Sequence, residues 1–173
     1  LSARTLRSAA VGVAALVCTA CAEVSPRAEA PPEPDTFVDM MIERYGPPDH
    51  AEGGRFVWER RGLWRRISVR DDLEPSGVAQ PLEDIQETIA YRVPQARRAA
   101  LAAFGGAVEE SADGEELSAR SSGEERNFLL LNLADAIVGG GLSPEAARVD
   151  YLRALTLDAS GKSSPAMRRL LFR

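Results

Sequence analysis

Apolar and polar positions recur with two different periods along this chain, and each change of period marks an element. Phe37, Met40, Met41 and Arg44 share one helical face, which predicts a helix over 36–45 with Asp35 or Thr36 as its cap. Gly46-Pro47-Pro48-Asp49 stops it, because glycine suits the C-cap and proline cannot continue a helix. The period then shortens to two. Arg55–Arg61 and Leu63–Arg70 read as strands with Gly62 in the turn between them. Phe56 and Trp58 fall on one face of the first. Leu63, Arg65, Ile67 and Val69 alternate on the second, with Trp64 and Arg66 on its other side. Asp71–Glu83 holds Pro75, Gly77 and Pro81 and reads as a polar loop. A third strand follows at Thr88–Val93, with Ile89, Tyr91 and Val93 on one face.

Beyond Pro94 the pattern is mostly helical. Pro94–Phe104 is an alanine-rich helix that Gly105-Gly106 ends. Ala107–Ser111 reads as a short strand before the acidic turn at Asp113–Glu116. Ser122-Gly-Glu-Glu125 has the form of a capping box and opens the strongest helix, to about Val138. Leu129, Leu130, Leu133, Ala134 and Ile137 form its apolar face, which Phe128 and Leu131 widen. Gly139-Gly140-Gly141 ends it. Ser143-Pro144-Glu145 caps a last helix, to about Leu157, that buries Ala147, Tyr151, Leu152 and Leu155. Residues 158–173 carry Gly, Ser and Pro and read as a flexible tail. These elements predict an α+β domain over 36–157: a small antiparallel sheet packed by helices, with a C-terminal helical pair.

The first 35 residues belong to neither pattern. Arg4 and Arg7 precede the apolar run Ala9–Val17, which is far short of the roughly 20 residues that span a bilayer. A signal segment over 1–20 is the reading that fits. Thr19-Ala20-Cys21 resembles the lipobox of bacterial lipoproteins, with Cys18 where that pattern carries leucine, and makes Cys21 the candidate lipidated residue. Ala20-Cys21-Ala22 also fits an A-x-A cleavage site, which would release a soluble periplasmic protein. Glu23–Asp35 contains Pro26, Pro31, Pro32 and Pro34; in extended form it spans about 40 Å, enough to tether a domain away from a membrane. The leader and tether together predict a lipid-anchored, periplasm-facing domain of the cell envelope, with the outer membrane preferred; Ala22 and Glu23 leave inner versus outer open.

Composition narrows the chemistry. The net charge is −5, and it becomes −7 once Arg4 and Arg7, the only charges before Cys21, are removed. That sign argues against a nucleic-acid partner. Cys18 and Cys21 are the only cysteines and His50 the only histidine, so the domain has no thiol nucleophile, no disulfide and no multi-histidine metal site. His50 beside Asp49 reads as a general base or as an exposed loop histidine. Glu109, Glu110, Asp113, Glu115 and Glu116 lack the ordered ligand alternation of a calcium loop. Gly139–Gly141 has no lysine placed for phosphate. Ser118, Ser121 and Ser122 lack the G-x-S-x-G elbow. No catalytic residue, metal or cofactor is expected.

The most unusual composition is the run of Arg55, Arg60, Arg61, Arg65, Arg66 and Arg70 among Phe56, Trp58 and Trp64. Arginine and tryptophan are enriched at binding hot spots, which makes Trp58, Arg60, Trp64 and Arg66 a candidate interaction face. The competing reading is a solvated sheet face whose arginines pair with nearby Glu59, Asp71 and Asp72.

Two resemblances bear on function. The stretches MIERYGPPD, FVWERRGLWRRISVRDD, TIAYRVP and ELSARSSGEERNFLLLNLADAIV resemble a group of uncharacterised exported proteins of environmental bacteria, over most of 38–155. That group implies no activity. The helix, Gly46-Pro47-x-Asp49 break and two strands at 36–70 resemble the BamE/SmpA-type outer-membrane lipoproteins. That resemblance implies a helix-plus-sheet fold and a role in holding the outer-membrane protein assembly machine together. The leading expectation is a membrane-tethered, non-enzymatic binding or scaffold module with an envelope protein partner. The alternative is an envelope hydrolase whose polar residues converge only in the fold.

Overall fold

A computed structural model describes residues 36–70 and 84–172. The expected signal segment, Cys21, the Pro-rich stretch to Asp35 and the polar loop Asp71–Glu83 lie outside the described residues. The described residues belong to one compact unit. In chain order the elements are α1 (Phe37–Tyr45), β1 (His50–Glu52), β2 (Arg55–Arg61), β3 (Trp64–Arg70), β4 (Asp84–Ala90), α2 (Gln95–Phe104), β5 (Val108–Glu110), β6 (Glu116–Ser121), α3 (Glu124–Val138) and α4 (Pro144–Asp158). A short 3-10 turn at Pro165–Met167 follows. The fold is α+β: six antiparallel strands in the order β1-β2-β3-β4-β6-β5, with helices that include the C-terminal pair α3 and α4.

The local chemistry largely follows the sequence. Thr36 Oγ1 accepts from the Asp39 N–H at 3.1 Å and caps α1, and Gly46, at φ 78°, ends it. Gly62, at φ 61°, turns β2 into β3. Ser143 Oγ accepts from the Ala146 N–H and caps α4. The expected capping box on α3 is not formed. Gly123 is the N-cap, without a side-chain bond, and Ser122 Oγ accepts instead from Arg126. The third strand lies upstream of its expected position, at Asp84–Ala90, so its inward row is Ile85, Glu87 and Ile89. Strands β1 and β6 were not expected; β6 inserts between β4 and β5.

One face of the sheet carries the core. Phe56 and Trp58 of β2 sit in register with Val69 and Ile67 of β3, and these lie beside Ile85 and Glu87 of β4. Leu117 and Ala119 of β6 continue that face. Helix α3 crosses it over β4, β5 and β6, α1 lies against β2, and α2 reaches β5. Helix α4 packs on α2 and α3. Helix α3 is therefore covered on both sides, which explains why Phe128 to Leu131 are all buried.

Two expectations near the C-terminus need correction. Leu152 is 63% exposed, because the buried stripe of α4 runs through Ala147, Tyr151, Ala154 and Leu155 and Leu152 stands one residue off it. Residues 158–172 are also not a loose tail. Asn132 Nδ2 donates to the carbonyls of Ala166 and Arg169, each at 2.9 Å, and its Oδ1 accepts from the Leu171 N–H at 2.7 Å. Met167 is buried with Leu129 and Ala154, and Phe172 meets the Tyr91 ring edge-on at 5.4 Å. The domain extends to residue 172.

Candidate functional site

The strand register also defines the face opposite the core. His50, Val57, Ser68, Gln86 and Arg120 stand side by side in one row across β1, β2, β3, β4 and β6. A second row runs Glu52, Arg55 and Arg70, and a third runs Glu59, Arg66, Thr88, Ser118 and Glu109. Because strand side chains alternate, these rows share the face away from Trp58 and Ile67. They are polar almost throughout. Among the described residues, no helix contributes to that face.

The first two rows frame a depression of about 120 Å³ lined by Arg55, Ser68, Arg70, Gln86 and Arg120. Arg55 Nε donates to Ser68 Oγ at 3.0 Å, and Arg120 donates to Gln86 Oε1 at 3.3 Å. Neither Arg55 nor Arg70 forms an ion pair with a described carboxylate. A neighbouring hollow on the other side of Arg55 and Arg70 is lined by His50, Glu52 and Val57. Asp49 turns away from His50: it accepts from the Glu59 N–H at 2.7 Å and pairs with Arg61 at 3.1 Å. That backbone bond, with Arg61 and His50 nearby, holds the Asp49 carboxyl below its usual range. The residue expected to orient a histidine base is thus engaged elsewhere.

The interaction face expected from Trp58, Arg60, Trp64 and Arg66 is not assembled as one surface. Trp58 is fully buried, and its Nε1 donates to the Gly46 carbonyl at 2.8 Å. Trp64 is 2% exposed, packs on Phe128 at 5.2 Å and donates from Nε1 to both Glu124 Oε1 and Tyr45 Oη at 3.2 Å. Arg60 adopts φ 53°, a left-handed conformation uncommon for arginine. At this end of the hairpin strict alternation fails: Trp64 is buried while Arg65 and Arg66 are both exposed. The physical reason is that the helices cover one face of the sheet, and the two indoles are the largest apolar surfaces available to fill it. Arg66 remains outside, paired with Glu59 and Glu116.

A second polar cluster, missed in the sequence, lies beneath the helices. Glu87 is fully buried between Ile85 and Ile89, and Asn127 Nδ2 donates to its Oε2 at 3.0 Å and to the Ile85 carbonyl at 3.1 Å. Glu124, buried at the start of α3, accepts from Tyr45 Oη and Trp64 Nε1 and pairs with Arg44. Burial, followed by the neighbouring Glu124 charge, pushes Glu87 up to about 8, and the opposing effects of Asn127 and Arg44 do not prevail. Burial and then Glu124 also hold the Tyr45 phenol well above its ordinary value. Glu87 Oε1 and Asn127 Oδ1 have no partner among the described residues. Glu124 also lines a cleft of about 370 Å³ between α1 and α3, with Phe37, Met40, Met41 and Arg44.

Chemically, these two places differ. Glu87 carries a raised carboxyl beside Glu124, but it has no exposed surface for a substrate to reach. The polar face offers donors to solvent and suits recognition of an anion. Among the described residues, no group of three or more His, Cys, Asp or Glu side chains is placed to hold a metal, and no helix is long and apolar enough to cross a membrane. Comparison with protein families, curated proteins and solved structures gives no match.

Proposed function

We propose that this protein is a lipoprotein of the cell envelope, anchored through Cys21, that works as a non-enzymatic binding or scaffold module. The observation that carries this reading is the one-sided sheet. Its helices occupy a single face, and the other presents His50, Arg55, Arg66, Arg70, Gln86 and Arg120 in adjoining rows. The Pro-rich stretch behind Cys21 supports a tethered domain. The local resemblance to BamE/SmpA-type lipoproteins suggests an envelope protein as the partner, in a periplasm-facing, outer-membrane setting. The binding surface differs from the one the sequence suggested, because Trp58 and Trp64 are spent on the core.

The test is recovery of envelope proteins with the full chain as bait. Arg66→Glu on the polar face should lower recovery of a partner by about tenfold, the effect of losing one charged contact. Arg153→Glu on α4 is the control. Equal recovery with both variants would sink the reading of the face. Mass spectrometry of the mature N-terminus checks the anchor: a diacylglyceryl adduct on Cys21 is expected, and an unmodified chain starting at Glu23 would refute lipidation.

The hydrolase alternative rests on the raised carboxyl of Glu87 beside Glu124, which lines the α1–α3 cleft. It requires Glu87 to become reachable. Hydrolysis of an envelope ester or glycan that Glu87→Gln abolishes would establish it in place of the binding module.

A further inference from the structure

We infer that the open sheet edge at β5 takes up an extended peptide strand of a partner protein, one that sets a basic residue beside an apolar one. This edge borders the polar face at Glu109 but does not depend on it. Strand β5 ends the sheet order and is paired on one side only, with β6. The ladder fixes which backbone groups are spent. Ser111 N–H donates to the Glu116 carbonyl at 2.9 Å, and Arg120 N–H to the Ala107 carbonyl at 2.8 Å. Bonded and non-bonded pairs alternate in an antiparallel ladder, so Glu109 is the bonded residue between them, and the backbones of Val108 and Glu110 turn away from β6. Val108 N–H is used locally, on the Gly105 carbonyl. The Val108 carbonyl and both the N–H and the carbonyl of Glu110 have no partner among the described residues. Such a row of free groups is a template for a further strand.

A wall beside this edge gives it selectivity. Helix α2 lies against β5, and between them runs a groove of about 320 Å³ lined by Leu101, Ala102, Gly105 and Val108 and by the Arg98–Glu110 ion pair. The opposite edge, β1, has no helix wall: the hollow beside it is lined by strand and turn residues. In an antiparallel strand added to β5, the residue opposite Val108 has its side chain over the groove and suits an apolar group. Its neighbour stands opposite Glu109, which is exposed and forms no ion pair with a described residue. A basic side chain is the favourable cross-strand match there. A second copy of this chain fits less well. Pairing β5 with itself through Val108 and Glu110 sets Glu109 opposite its own copy, and like charges so placed are destabilising.

The experiment uses the full chain, isotope-labelled for amide NMR, and the acetylated and amidated peptide Thr-Val-Lys-Val-Thr. Saturable shifts are expected at Leu101, Ala102 and Val108–Ser111, with slower hydrogen exchange of the Glu110 N–H and no shifts at His50–Glu52. The same peptide methylated on both valine nitrogens lacks the donors for the Val108 and Glu110 carbonyls and should not bind. Glu109→Lys should weaken binding by about fivefold, as one lost cross-strand ion pair predicts, and should make Thr-Val-Glu-Val-Thr the preferred peptide. Ala102→Leu, at an exposed helix position that accepts leucine, fills the groove and should weaken both peptides.

No saturable shift along β5 at millimolar peptide would overturn the site. So would shifts confined to β1, binding that survives methylation of both valines, or a charge preference that Glu109→Lys leaves unchanged. Sedimentation as a dimer whose β5 amides shift with protein concentration would give the edge to a second copy and also overturn it. The peptide titration does not involve Arg66, so its failure removes the β5 site and leaves binding by the polar face to the recovery of envelope proteins.

Discussion

Glu87 gives the fold a measurable dependence on pH. Its carboxyl is fully buried, sits beside Glu124, and is pushed up to about 8. An unperturbed glutamate titrates near 4.3, so the unfolded chain releases this proton first. Below about pH 4 both states hold the proton, and the contribution of the protonated form is complete. As pH rises from there to about 8, the folded chain keeps a proton that the unfolded chain has lost, and stability falls. Above about 8 both states are ionised and the loss levels off. Each pH unit in the window is worth about 1.4 kcal/mol, so the whole traverse costs about 5 kcal/mol, a large part of a small domain's stability.

Glu87→Gln isolates this effect. The amide matches the shape of the protonated acid: its oxygen accepts from Asn127 Nδ2, and its NH2 takes the place of the acid proton. It has no charge to gain. Urea unfolding from about pH 4 to about pH 9 can be followed by emission of Trp58 and Trp64, the only tryptophans and both buried. The two proteins should have similar stability at the acid end. The variant should be the more stable by several kcal/mol at the alkaline end. Asp49, Asp113 and Glu145 are also displaced from their usual values, all downward. Their stabilising effect fades as pH falls through the carboxylate range, and being common to both proteins it cancels in the difference. Parallel curves for wild type and Glu87→Gln across the window would refute the assignment of a buried neutral carboxyl to Glu87.

Two further outcomes follow from the packing. Asn132→Ala removes three hydrogen bonds to the C-terminal segment; at about 1 kcal/mol each the cost is roughly 3 kcal/mol, and amide exchange of residues 166–171 should accelerate more than that of the β3–β4 ladder. Leu131→Ala, at a fully buried position, should cost about 2–5 kcal/mol in urea unfolding. Leu152→Ala, at a 63% exposed one, should stay within about 0.5 kcal/mol of wild type, and equal losses would contradict the buried stripe of α4.

The elements legible in the sequence are those whose period is uninterrupted. Helix α1 and the β2–β3 hairpin are legible because Thr36, Gly46 and Gly62 punctuate them and Phe56 and Trp58 alternate cleanly. Strand β4 was misplaced because its inward row, Ile85, Glu87 and Ile89, contains a carboxyl, and an acid in an apolar row reads as an interruption. That same acid, two residues from an isoleucine on either side, was the available signal for the buried cluster. Asn127, one turn before Leu130 and Leu131 on α3, was the other. Trp64 was misread for a different reason. Its inward turn accompanies the left-handed Arg60, which no propensity anticipates. The polar sheet face is half legible. Arg55 and Arg70 stood out in composition, but Arg120 reaches them only because β6 enters the sheet beside β4, setting Gln86 opposite a residue 34 positions away.

This topology also decides where a partner can bind. On the covered face Glu124 is committed to Tyr45, Trp64 and Arg44, and Asn127 Nδ2 to Glu87 and the Ile85 carbonyl, while Glu87 Oε1 and Asn127 Oδ1 have no partner among the described residues. A ligand there would have to displace those bonds and open α1 or α3 away from the sheet, at a cost of several kcal/mol in unpaired buried groups. On the polar face no described helix need move. The strands hold the backbones of Arg55, Arg70, Ser68 and Gln86 at fixed spacing. Under the anchoring proposed at Cys21, such a surface gains most, because an anchor supplies nearness to a partner on the same membrane.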